Sequence, residues 1–171
     1  MTQFHPYALD LEADPDGGFI VTCPQVPEVV TQGDTRAEAM ANAPEALLAA
    51  LQGYMRQKRP FPIPSKAPPE GTAQAVLPEL AQAKALLHNA MLAERVSNSE
   101  LARRMGKSSE TQIRRILAPR VNVRFADLAD ALRATGRRLS LGVEGRPDIP
   151  DQDSAAVQAL IARGAADTAR V

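Results

Sequence analysis

The chain has 171 residues, room for one ordinary domain or two small ones, and 44% of them are apolar, enough for a packed core. No apolar run approaches the roughly 18 residues of a membrane span, and Met1–Pro6 has no charged segment ahead of an apolar one, so membrane and exported classes are not expected. The single cysteine, Cys23, leaves no internal disulfide and points to a reducing cytoplasm. The formal net charge of zero conceals a division. Residues 1–80 hold 5 Lys/Arg against 10 Asp/Glu, residues 81–146 hold 13 against 6, and residues 147–171 hold 2 against 4. An acidic module joined to a basic one makes phosphate the natural partner of the second.

In chain order, Tyr7, Leu9 and Leu11 alternate with polar neighbours, the period of a half-buried strand. Asp14–Gly18 is turn chemistry, and Phe19, Val21 and Cys23 alternate again as a hairpin partner. Pro24 and Pro27 end that strand, and Val29–Gln32 suits a short third one. Thr35 and Glu38 have capping-box spacing and open a helix whose apolar face is Met40, Leu47, Leu51 and Tyr54. Pro44 inside it should cost about 3 kcal/mol and produce a local bend. Residues 58–72 carry five prolines and read as an extended, semi-rigid connector.

Ala73–Leu77 suits a fourth strand added to the same sheet. A helix over Glu79–Arg95, with Leu80, Leu87 and Met91 apolar, is followed by helical pieces at 98–105, 109–117 and 125–134, the last capped by Gly136. Arg138–Val143 alternates as a closing strand, and Ser154–Ala166 is weakly helical within the tail. The expected fold class is α+β. A β-β-β-α-β domain over 1–78 includes the connector, a helical domain ending in a short strand covers 79–145, and 146–171 is a flexible tail.

The most informative stretch is Ser97–Leu117. Ser97 and Glu100 have capping-box spacing, Leu101 and Met105 share a buried face, Ala102 is small where helices approach, and Gly106 permits a sharp turn. With Ile113, Ile116 and Leu117 inward, Thr111, Arg115 and Ala118 point outward, flanked by Gln112 and Arg114. Arg bridges guanine O6 and N7, Gln bridges adenine N6 and N7, and a Thr methyl meets thymine. Ser109 or Ser108 caps this second helix, and Lys107, Arg120 and Arg124 suit phosphate clamps. The candidate DNA-binding residues are therefore Ser97, Lys107, Ser109, Thr111, Gln112, Arg114, Arg115, Arg120 and Arg124. The bland alternative is a solvated basic face of Arg103, Arg104, Arg114 and Arg115.

Through Ser97–Gly106, Ile113–Pro119 and Phe125–Leu132, the C-terminal part resembles the lambda-repressor-like (XRE/Cro-type) helix-turn-helix family. Through Asp16–Phe19, Pro24, Val26-Pro27, Thr31–Thr35 and Glu38-Ala39, the N-terminal part resembles the HicB antitoxin family. The resemblance implies a partial RNase H-like N-terminal fold that silences a HicA-like toxin, a small basic mRNA-cleaving enzyme. It also implies repression of the protein's own operon, as a homodimer or tetramer and without a cofactor. Two departures stand out: Pro44 within a helix usually free of proline, and one extra residue between Gly106 and Ile113.

The acidic Asp10, Glu12, Asp14 and Asp16 are the candidate toxin contacts, since an acidic face suits a basic RNA-cleaving partner. The helix 125–134 and the strand at Leu139–Val143 are candidates for a dimer contact. The same four carboxylates make a Mg²⁺ nuclease the third reading, yet Asp10 and Glu12 have the pattern of a solvated strand face, and Asp14 and Asp16 that of turn residues. His5, His88 and Cys23 lack metal-site spacing, and no phosphate-binding glycine loop occurs, so neither metal nor cofactor is expected. The main rival is a transcription regulator whose N-terminal domain senses a small molecule.

Overall fold

Pro24 decides how the first strands pair. In the computed structural model, which describes residues 4–107 and 109–140, the expected strand over residues 7–12 is two: β1, Tyr7–Ala8, and β2, Asp10–Ala13. β2 runs antiparallel to β3, Phe19–Thr22, with Asp10 opposite Thr22 and Leu11 opposite Val21. Continuing that register would set Ala8 against Pro24, which has no N–H to give. β1 instead pairs antiparallel with β5, Gln74–Ala75, and Leu9 donates its N–H to the Ala73 carbonyl at 2.8 Å. The expected fourth strand is thus shorter than Ala73–Leu77 and belongs to a separate two-stranded ladder.

β4, Val30–Gly33, completes the three-stranded sheet β2-β3-β4. One face, with Leu11, Phe19 and Val21, packs into the first core together with α1, Arg36–Gln57. The other face aligns Asp10, Thr22 and Val30 in one cross-strand row and Glu12, Ile20 and Gln32 in the next. Asp10, Glu12, Val30 and Gln32 are exposed there.

α1 begins as expected. Thr35 Oγ1 accepts the Glu38 N–H at 3.1 Å, but the Glu38 carboxylate accepts the N–H of Asp34 rather than that of Thr35. Gly33 lies so close to this turn that an added Cβ would stand 2.4 Å from the Ala39 nitrogen. The helix continues through Pro44 as one element. Proline leaves the Met40 carbonyl without its helical donor, at about 3 kcal/mol. Burial of Ala39, Ala43, Leu47, Ala50, Leu51 and Tyr54 outweighs this, since each leucine alone contributes about 1.5–3 kcal/mol. Met40, expected on this face, is only half-buried.

The proline-rich segment is not a free connector. Phe61 is buried with its ring edge-on to Tyr7 and Tyr54, at centroid distances of 6.1 and 5.3 Å. Tyr7 donates its hydroxyl to Pro62 O at 2.8 Å. From α2, Glu79–Ala93, the Asn89 side chain both accepts the Phe61 N–H and donates to the Phe61 carbonyl, each at 2.8 Å, and the His88 ring is 2.7 Å from Arg59 O. Prolines that cannot join a ladder leave backbone carbonyls free for side chains, and the segment becomes a strap across the first core.

α2 serves two cores. Ala81 and Ala85 belong to the first. Leu87 and Met91 belong to the second, with Leu101 and Ala102 of α3 (Asn98–Arg104), Ile113 and Ile116 of α4 (Glu110–Leu117), and Leu128, Ala131 and Leu132 of α5 (Phe125–Ala134). Residues up to Leu139 accordingly form one compact unit. The position 78/79 thus falls at the start of a helix that both cores share. Of the expected closing strand Arg138–Val143, residues 138–140 are not strand, since their backbone joins no ladder, and the rest lies outside the described residues, as does the tail.

Candidate nucleic-acid interface

α3 and α4 are joined by residues 105–109. Ser97 caps α3 by accepting the Glu100 N–H at 3.1 Å. The Glu100 carboxylate does not reach back to complete a capping box, because two arginines compete for it. It accepts from Arg103 Nε and Nη2, both at 2.8 Å, and from Arg104 Nε at 2.7 Å. These bonds hold its pKa down at about 2. Arg103 and Arg104 therefore share one carboxylate, which offsets half of their charge and leaves the cluster at +1.

Gly106 adopts φ +63°, and the Lys107 N–H returns to Ala102 O at 2.9 Å, closing α3 with a left-handed glycine turn. Ser109 then caps α4, accepting the Thr111 N–H at 3.1 Å; Ser108 lies outside the described residues. Ile113 and Ile116 are buried, whereas Thr111, Gln112, Arg114 and Arg115 are exposed. Ala118, expected to point outward, is half-buried where it ends the helix and its carbonyl is engaged by Lys84 of α2.

Lys107, Gln112, Arg115 and Arg124 line one groove of about 520 Å³, joined by Asn122 and Asp127. Asp127 accepts from Arg124 at 3.1 Å and from Lys107 at 3.4 Å, and these two cations, Arg124 foremost, lower its pKa. It fixes the direction of both clamps. Arg114 is engaged by Glu110 at 3.4 Å, one turn earlier. Arg120 turns away from the groove to pair with Glu45 of α1. Arg115 is the exposed α4 cation with no carboxylate partner among the described residues.

At the end of α4, Lys84 of α2 is completely buried. Its Nζ donates to Ala118 O and Val121 O at 2.5 Å each, and burial pulls its pKa down to about 8. Sequence reasoning missed Lys84, Glu45, Asn122 and Asp127. Only Lys84 left a trace, as a lysine in register with Ala81, Ala85 and His88 on an apolar helical face.

In the N-terminal lobe, Asp10 and Glu12 stand exposed on the outer sheet face, while Asp14 accepts the Asp16 N–H at 3.0 Å within the hairpin turn. The turn separates the two pairs. Among the described residues no group of three or more His, Cys, Asp or Glu is placed to hold a metal ion. Cys23 is buried in the first core, which raises its thiol pKa, and His88 serves the strap, its pKa lowered by burial. A smaller surface groove, about 260 Å³, lies between Glu28–Val30 and Ala46, Ala49 and Gly53 of α1. No described helix is long and apolar enough to cross a membrane.

Comparison with known proteins matches residues 6–86 to a family profile described as a HicB-like antitoxin of a bacterial toxin–antitoxin system. Antitoxin HicB 2 of Photorhabdus laumondii subsp. laumondii is 39% identical over 135 residues, spanning 79% of this chain and 94% of that protein. Antitoxin HicB of Escherichia coli (strain K12) is 37% identical over 139 residues, spanning 79% and 96%. Antitoxin HicB of Pseudomonas fluorescens (strain Pf0-1) is 35% identical over 138 residues, spanning 81% and 93%. With identity at this level across nearly the whole of each relative, the chain belongs to the HicB antitoxin family of bacterial toxin–antitoxin systems.

Proposed function

We propose that this chain neutralises a HicA-like, basic mRNA-cleaving toxin with its N-terminal lobe and represses its own operon with α3 and α4 acting as a helix-turn-helix. The observation that carries the DNA half is the outward face of α4. Thr111, Gln112 and Arg115 are exposed on a helix anchored by Ile113 and Ile116, beside a groove flanked by Lys107 and Arg124. Arg115 and Gln112 read base edges, Lys107, Arg124 and Arg120 hold phosphates, and Ser109 lends its capped helix end to the backbone. Ser97 caps α3 and orients the first helix. Arg114 reaches DNA by exchanging Glu110 for phosphate.

Two such heads are needed for adjacent half-sites about 34–36 Å apart, so the active species is a homodimer or a pair of dimers. α5, whose Phe125 is 52% exposed, is the proposed contact. Toxin neutralisation is occlusion rather than catalysis. The face carrying Asp10 and Glu12, with Asp14 and Asp16 at its hairpin end, covers a cationic surface that otherwise holds RNA phosphate.

Co-expression with a HicA-like toxin tests this directly. Wild type co-purifies with that protein and restores growth, and Asp10→Asn combined with Glu12→Gln weakens capture by about tenfold or more without loss of fold. Failure of the wild-type pair to associate would remove the antitoxin assignment of the outer sheet face.

A further inference from the structure

We propose that Lys84 is a positioning residue of the DNA-reading head: its buried ammonium caps the end of α4 and fixes the turn that carries Arg120. The inference rests on the DNA-binding reading above and adds a residue remote from the DNA face.

The geometry is specific. Lys84 is 0% exposed, and its bonds reach 34 and 37 residues along the chain to Ala118 O and Val121 O. Ala118 is the residue that ends α4, where helix carbonyls lack internal donors and a cation is favoured. Val121 closes the following turn, its N–H bonded to Ala118 O at 3.1 Å. Between the two acceptors lies Arg120, and beyond Val121 come Asn122 and Arg124 of the groove.

No carboxylate pairs with Lys84 among the described residues, so the ammonium is buried against backbone carbonyls alone. An aliphatic side chain would avoid the desolvation cost of that charge. It would also leave the Val121 carbonyl without a donor, the Ala118 carbonyl with only the Val121 N–H, and the exit of α4 unfixed. Stability therefore does not account for a lysine here, whereas placement of the reading helix does. The pin stands on α2 between Ala81 and Ala85 of the first core and three residues before Leu87 of the second, so it ties the head to the helix both lobes share.

Two readouts on the full chain test this. In Lys84→Met, the Ala118 and Val121 amides exchange hydrogen about tenfold faster or more. Its operator dissociation constant rises about tenfold, and capture of the co-expressed toxin is unchanged. Chemical rescue separates the charge from the packing. A Cys23→Ala, Lys84→Cys chain is alkylated while unfolded and then refolded. Aminoethylation restores an amine at lysine length and recovers both amide protection and operator affinity; propylation, of equal length but neutral, recovers neither. Unchanged exchange in Lys84→Met, or equal recovery by both alkyl groups, overturns the proposal. If Lys84→Met does not fold, the alkylated pair supplies the same comparison. If wild type shows no operator binding, the DNA-reading assignment fails by itself, while the exchange data still decide whether Lys84 pins the turn.

Discussion

Arg120, in the turn after α4, forms an ion pair with Glu45 on α1 of the N-terminal lobe. Both side chains are substantially exposed, so the pair adds no more than about 1 kcal/mol to stability. Its consequence is for DNA. A phosphate that engages Arg120 must displace Glu45, a carboxylate the DNA would otherwise repel. Glu45→Gln should therefore raise operator affinity several-fold with an unchanged melting temperature. Arg120→Ala should weaken binding to all sequences alike and reduce the salt slope by about one. Anisotropy titrations at several salt concentrations check both, and a sequence-selective loss in Arg120→Ala would show a base contact instead.

The buried Lys84 also gives stability a distinctive pH dependence. Its folded pKa of about 8 lies below the 10.5 of the free side chain, so between these values the unfolded chain binds more protons than the folded one. Unfolding free energy therefore rises with pH across that window. Below about pH 8 the buried charge carries a penalty on the order of 3 kcal/mol. Lys84→Met should remove the rise and equal or exceed wild type in stability at neutral pH. Denaturant unfolding between pH 7 and about pH 10 measures this; parallel curves for the two proteins would contradict it.

Asn89 makes two hydrogen bonds to the backbone of Phe61 and thereby seats the proline-rich strap. Asn89→Ala should cost about 2–3 kcal/mol, because the Phe61 amide groups lose their partners beside a buried ring. Faster exchange at the Phe61 amide, with the α4 amides little affected, would identify the strap as the place where stability is lost.

Much of this fold was legible in the sequence because it follows short-range rules. Alternation at Phe19 and Val21 marked the inward face of β3, with Cys23 buried just beyond the strand, and the caps Thr35 and Ser97 marked helix starts that the structure contains. Misread features depended on partners distant in sequence. The prolines of residues 58–72 signal that no regular element passes through them, but not that Asn89 and Tyr7 supply their hydrogen bonds. The alternation of residues 7–12 carries no sign that Pro24 forces a change of ladder partner at Leu9. At the candidate interface, the outward placement of Thr111 and Arg115, flanked by Gln112 and Arg114, followed from helical geometry alone, whereas Ala118, placed outward by the same geometry, is half-buried at the helix end. The ion pairs that occupy Arg103, Arg104, Arg114 and Arg120 did not, because local pattern places charges on a face without saying which are already matched.

The most direct measurement of the central claim is a binding titration of labelled DNA from the promoter upstream of this reading frame, comparing wild type with Arg115→Ala. Wild type should bind that DNA at least about a thousandfold more tightly than scrambled DNA. Arg115→Ala should lose about 1–3 kcal/mol of operator binding while still capturing the toxin. Wild-type affinity no better for the promoter than for scrambled DNA, or an Arg115→Ala variant with unaltered operator affinity, would contradict the account.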